Sequence, residues 1–239
     1  MRQTAGTCSG SLARTLAKHI TDSGFAVVEN FVQPADLRHA QDFVSEAITA
    51  NGGEYTSFSG TDDLADTFLA RLPRDPAFVD LCREIYRHGT DKAAPDVGFY
   101  QILRCLSGAG AREHSLRFHF DSYVLTALIP ITMPNHGSPG RLLIHPNTRA
   151  IRRTYLANVM DKVLCDNALS QKLLNAAYRR GTKRLVRIEL TPGNLYFFWG
   201  YRSLHTNEPC EADAIRATAL LHYADPHAES WLKRRRQPH

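Results

Sequence analysis

The sequence has little that would fix it in a membrane or staple it with disulfides. Nowhere in its 239 residues is there a run near the ~20 consecutive apolar residues that a membrane-crossing helix needs. The opening MRQTAGTCSG lacks the apolar core of a secretory leader. Cysteine is sparse: Cys8, Cys82, Cys105, Cys165 and Cys210 are an odd number, lie far apart and form no CxxC pair. That pattern excludes a disulfide framework and a thiolate zinc site, and it predicts reduced thiols in a cytoplasmic protein. Internal repeats, low-complexity tracts and linkers are also missing. A single domain over 1–239 is therefore the simplest organisation.

Apolar residues, by contrast, are plentiful at 43%, so a sizeable core is available. Net charge is +5, with a pI near 9.0. The excess gathers in a tail over 231–239 and in Arg149, Arg152, Arg153, Arg179, Arg180, Lys183 and Arg184. Charge alone permits nucleic-acid contact, but no binding module or basic-aromatic stripe accompanies it. The basic residues read as a solvated face and a frayed tail, with a weaker tilt towards an anionic small-molecule substrate.

Residues 11–90 read mainly as helix around one early strand, GFAVVENF. Pro34 suits a first helical turn and Gly52–Gly53 a stop. Leu37, Ala40, Phe43, Val44, Ala47 and Ile48 recur at helical spacing. Further short helices are predicted over 61–71 and 76–88. From 97 to 225 the pattern turns to short strands: VGFYQILRC, SLRFHFDS, YVLTALIPI, RLLIH, KRLVRIEL, NLYFFWG and AIRATALLHY. Turn-rich segments separate them, which indicates a sandwich or barrel and not a parallel α/β sheet. One insert, 150–180, is helical in pattern and stops at Gly181; it is either a lid over one mouth or packing.

His119 and Asp121 lie two apart in a predicted strand, so their side chains share a face. Composition alone predicts about one such HxD pair in a chain like this, so the pair by itself is weak. Two ligands hold a divalent ion poorly. His205, in FFWGYRSLHTNEP, is the best third, giving the two-His, one-carboxylate facial set of non-haem Fe(II) oxygenases. Arg216 follows eleven residues after His205. A hairpin centred between Cys210 and Glu211 would put the two opposite each other, with Thr218 on the face of Arg216. An arginine inside a barrel needs an anion, and a small dicarboxylate fits: one end on the metal, the other forked by the guanidinium.

The order His119-x-Asp121, His205, Arg216-x-Thr218 resembles the Fe(II)/2-oxoglutarate-dependent dioxygenase superfamily. Within it the chain is most similar to the phytanoyl-CoA dioxygenase-like group. The carrying segments are DSGFAVVENFVQPADL, GSPGRLLIHPNTR and GNLYFFWGYRSLHTNEPCEADAIRATALLHY, Asn207 included. The usual Gly-Ser-His of the middle segment is replaced by Asn147-Thr148-Arg149. The resemblance implies a mainly β fold with flanking helices, a double-stranded β-helix (jelly roll, cupin-like). It implies Fe(II) held by His119, Asp121 and His205, with 2-oxoglutarate and O₂ as cosubstrates. Arg216 and Thr218 would hold the distal carboxylate. Gln101 and, less so, Arg104 would reach the pocket from the preceding strand, and Thr126 would line the cosubstrate pocket. Trp199 reads as core filler near the distal His. His114, His136 and His145 read as solvated. The implied reaction is hydroxylation of an unactivated C–H of a small metabolite, with release of succinate and CO₂. Desaturation, epoxidation, cyclisation, hydroxylation of a macromolecule and a non-catalytic binding jelly roll are the alternatives. The carboxylate of Asp121 argues against halogenation, since related halogenases carry a small residue there.

Overall fold

A computed structural model describes residues 5–108, 115–182, 184–211 and 213–236, with backbone alone at 5–9 and 236. His114, Lys183 and the end of the basic tail fall outside these residues. Helices come first. α1 (Ala5–Ser23) and α2 (Pro34–Ala50) flank strand β1 (Ala26–Val28). Pro34 opens α2 and Ala40, Val44 and Ile48, one turn apart, are its buried stripe. β2 (Thr56–Ser59) follows. The helix predicted over 61–71 is instead three 3₁₀ turns, because Thr67 is extended and caps the second one with its own hydroxyl. α3 (Pro76–Thr90) starts on Asp75, whose carboxylate accepts from the Phe78 N–H at 2.9 Å.

The strands form two antiparallel sheets. The larger has the order β1-β7-β4-β9-β3-β2, with β3 Tyr100–Leu106, β4 Leu125–Thr132, β7 Leu195–Phe198 and β9 Arg216–Tyr223. The smaller has the order β6-β5-β8, with β5 Leu142–His145, β6 Val186–Ile188 and β8 Leu204–Asn207. Alternation explains how the large sheet sits. Leu103, Cys105, Ala127, Ile129, Ala217, Ala219, Leu221 and Phe197 point to the helices and build the main core with Ile20, Val44 and Ile85. Their neighbours at odd steps, among them Ile102, Leu128, Phe198, Arg216, Thr218, Leu220 and His222, face a cavity closed on its far side by the small sheet. The mainly β, jelly-roll reading of the sequence holds.

Two expectations fail. SLRFHFDS is not a strand; it meets the small sheet in one isolated bridge, His119 to His205. Nor do His205 and Arg216 pair across a hairpin. β8 pairs with β5, whereas β9 pairs with β3 and β4, so the chain between them crosses from one sheet to the other. The insert is two helices, α4 (Tyr155–Asp166) and α5 (Ala168–Arg180), broken at the extended Asn167 and ended by Gly181 in the left-handed region at φ 70. Among the described residues no helix is long and apolar enough to cross a membrane.

Candidate metal centre

Three side chains converge where the segment before β4 crosses β8. His119, Asp121 and His205 each offer a ligand atom, all within 4.8 Å of one another. Backbone pairing sets this up. His119 and His205 exchange both N–H···O bonds at 3.0 Å, and the Asp121 N–H donates to Gly200 O at 3.0 Å. Phe118, between them and the insert, is held on both sides by one amide: Gln171 Oε1 accepts from its N–H and Nε2 donates to its carbonyl. Gln171 thus stands in for the neighbouring strand that this segment lacks.

Hydrogen bonds also fix which atoms point inward. His119 Nδ1 lies 3.0 Å from Arg117 O, and His205 Nδ1 lies 2.9 Å from Ser203 O. A carbonyl can only accept, so each Nδ1 carries the hydrogen and each Nε2 presents a lone pair. Both Nε2 atoms face Asp121 Oδ1, at 3.9 and 3.5 Å. The other carboxylate oxygen, Oδ2, is engaged by the Thr126 hydroxyl at 2.6 Å. Thr126 in turn sits 3.1 Å from His222 Nδ1. Two imidazole lone pairs and one free carboxylate oxygen on a common point are the donor set of a facial transition-metal site.

Electrostatics agree with a pocket waiting for a cation. Burial would raise the Asp121 pKa, but His205, His222 and His119 hold it well below the usual carboxylate range. Burial lowers His205, yet Asp121 outweighs it and the net shift is upward. His119 is lowered to about 4 by desolvation and by His205, although its ring opens on the cavity with 47% of the side chain accessible. Nearby glycines make room. A Cβ on Gly200 would stand 2.1 Å from Asp121 Oδ2, and one on Gly140 would stand 2.8 Å from Arg216 Cδ.

Arg216 lines the same cavity, of about 380 Å³. It is buried; its Nε donates to Gly140 O at 2.9 Å and its Nη1 lies 3.5 Å from Thr218 Oγ1. Desolvation brings its pKa down to about 10, so it stays charged at neutral pH. Among the described residues no carboxylate lies within ion-pair distance of it. A larger depression of about 1230 Å³ lies among Leu12, Phe31, Phe68 and Phe78 on the helical side. It holds none of these residues, so size alone does not mark the site.

Other predicted residues move. Gln101 faces the helices and donates to Leu69 O at 2.9 Å, while Arg104 on the opposite face of β3 enters the cavity. Thr126 braces Asp121 and is not among the cavity-lining residues. Trp199 packs against Gly89 and donates to Thr21 Oγ1, and the ring beside His205 is that of Phe198. His145 is half-buried against Phe118, with its Nε2 unpartnered among the described residues. Exposed His136 pairs with Asp213. Arg149 lies over the Phe120 and Tyr201 rings at 4.0 and 4.2 Å and pairs with Asp161 at 2.9 Å. It ties the insert to the strands. His222, stacked with Tyr100 and Tyr123, went unnoticed in the sequence. Its two-residue step from Thr218 through Leu220 was the available signal.

No family model and no curated protein matches the chain. Solved structures do. A prolyl hydroxylase from Trichoplax adhaerens, in complex with a hypoxia inducible factor oxygen degradation domain peptide fragment, aligns over 94% of this chain and 95% of its own, at 14% identity and TM-score 0.60. The non-haem α-ketoglutarate-dependent epimerase SnoN of nogalamycin biosynthesis aligns over 90% and 83%, at 12% identity and TM-score 0.55. SnoN in complex with Fe³⁺, α-ketoglutarate and nogalamycin RO gives the same TM-score at 14% identity. At these identities the likeness establishes the fold alone, a jelly roll with flanking helices, and it runs through nearly the whole chain.

Proposed function

We propose that this protein is a non-haem Fe(II)- and 2-oxoglutarate-dependent dioxygenase, of the phytanoyl-CoA dioxygenase-like group, that hydroxylates an unactivated C–H of a small molecule. The observation that carries the reading is the pairing of two features in one cavity: the inward-facing His119, Asp121 and His205 donors, and the buried Arg216, which has no carboxylate within ion-pair distance among the described residues. Ferrous iron there would supply the O₂ chemistry that converts 2-oxoglutarate to succinate and CO₂ and oxidises the substrate.

The rest is the protein's own work. His119 Nε2, Asp121 Oδ1 and His205 Nε2 hold the metal. Thr126, backed by His222, keeps the carboxylate from rotating. Arg216, oriented by Gly140 O and Thr218, takes the far carboxylate of the keto-diacid. Phe198, Leu128 and Leu142 give the cavity apolar walls, and a low-polarity surrounding strengthens a guanidinium–carboxylate contact. The test is anaerobic Fe(II) and 2-oxoglutarate binding, followed by a metabolite screen for substrate-stimulated succinate release. Asp121→Ala should lose the metal and all succinate formation. Ordinary turnover by that variant overturns the assignment.

A further inference from the structure

A second cavity, of about 610 Å³, adjoins the first and shares Arg104, His119 and Asn207 with it. Its wall adds Phe120 from the segment before Asp121 and Lys162 and Val163 from α4. Three cations line it, and they are not equivalent. Arg117 is neutralised: Asp166 accepts from its Nε and Nη2 at 2.9–3.0 Å. Arg104 stands on the cavity face of β3, across from Thr218, and is half-buried. Lys162 is half-buried too, and donates to Ser122 Oγ at 2.8 Å. That bond uses one of three ammonium donors and none of the charge. Among the described residues neither Arg104 nor Lys162 has a carboxylate within ion-pair distance.

Half-buried cations without counter-charges are costly. They come from different elements, β3 and the insert, and flank one ring, His119. Arg104 is a diagonal neighbour of Arg216 on the paired strands and lines the first cavity with it, whereas Lys162 lines the second cavity alone. The outer cavity therefore has a cation of its own, Lys162, and shares Arg104 with the deeper one. We infer that Arg104 and Lys162 bind an oxyanion, carboxylate or phosphate, at one end of the substrate, whose apolar body lies along Phe120 and Val163. This rests on the oxygenase reading only in calling the ligand a substrate.

Calorimetric titration of the metal-free protein with hexanoate, hexyl phosphate and the neutral hexanamide tests it. One of the two anions should bind saturably and at least about tenfold more tightly than the amide, the usual effect of a charge-assisted hydrogen bond; which one binds names the oxyanion. Arg104→Met and Lys162→Met should each remove that advantage and leave amide binding as it was. Arg104→Lys should restore part of it. With Fe(II) present, 2-oxoglutarate affinity should be unchanged in Lys162→Met, whose side chain lines the second cavity alone. Saturable binding of neither anion, or equal binding of anion and amide, overturns the inference. So does a loss of 2-oxoglutarate affinity in Lys162→Met, which would assign the outer cavity to the cosubstrate. Failure of the wild type to bind Fe(II) and 2-oxoglutarate sinks the oxygenase reading instead, and the metal-free titrations read out independently of it.

Discussion

Asp121 is held by contacts that a single carbon atom can disturb. Its backbone hangs on Gly200 O, and its Oδ2 leans on Thr126 directly over the Gly200 Cα. Gly200→Ala places a methyl 2.1 Å from Oδ2 and 2.4 Å from Thr126 Oγ1, nearer than any real contact allows. The carboxylate must swing away while the strands around it stay packed. Metal affinity should fall at least about tenfold, as it does when the partners of metal ligands are removed, with the far-UV dichroism unchanged; an unaltered Fe(II) dissociation constant would show that Asp121 does not bind through Oδ1. Arg216 makes the complementary case. Arg216→Ala should weaken 2-oxoglutarate binding about ten- to a hundredfold, from ~1.5–3 kcal/mol for a charged hydrogen bond, with the metal still bound. An unchanged dissociation constant would move the cosubstrate elsewhere. Both effects follow from atoms whose neighbours are fixed by backbone, so neither should be rescued by side-chain repacking.

The insert shows how one element depends on a few ionic contacts. α4 buries Asn158 and leaves Leu156, Met160 and Leu164 exposed, and among the described residues the insert's apolar contact with the strands is confined to partly buried Cys165, Leu174 and Tyr178 against Phe118, Leu143 and Leu204. To that small contact are added Arg149, whose guanidinium reaches Asp161 while stacked on Phe120 and Tyr201, and the Arg117–Asp166 and Gln171 bonds. Asp161 is depressed chiefly by its bond to Arg152, with Arg149 adding to it. A depressed folded-state value means the stabilisation is present above the ordinary carboxylate pKa, near 3.9, and is lost as pH falls through the folded value. Docking should therefore be tight at neutral pH and loosen only in acid. Asp161→Asn should reproduce the acid state at pH 7, costing on the order of 2 kcal/mol, less than a fully buried pair because Asp161 keeps 20% of its side chain exposed. Amide exchange over 155–180 should quicken while β4 and β9 stay protected. This element also shows what the sequence could disclose. Helical spacing and Gly181 marked the insert, but the break at Asn167 and its docking through Arg149 depend on tertiary partners. The convergence of His119, Asp121 and His205 was readable because metal chemistry constrains residue type and spacing. Gln101 was misplaced because strand phase is set by which neighbour it joins: Arg104 pairs with Thr218, and that register puts Gln101 on the helix side.

The two sheets share no strand, and the candidate ion lies where they are joined. His205 belongs to the small sheet; Asp121 is tied through Thr126 and Gly200 to the large one; His119 bridges the segment between. His119 and His205 are far apart in sequence, so an unfolded chain cannot assemble the same site, and metal binding adds to the free energy of folding. At a hundred times the dissociation constant the gain is ~2.7 kcal/mol, a rise in melting temperature of about 5–10 °C for a chain of this size. EDTA should reverse it, and Asp121→Ala should show none. On the proposed function, 2-oxoglutarate should add a second increment only with metal present, because Arg216 would grip one end of the diacid and the other would need the ion. That conditional order separates this architecture from a jelly roll that merely binds dicarboxylates. If 2-oxoglutarate raised the melting temperature equally with and without metal, Arg216 would be an anion site in its own right, and the His119–Asp121–His205 cluster would have no part in cosubstrate binding.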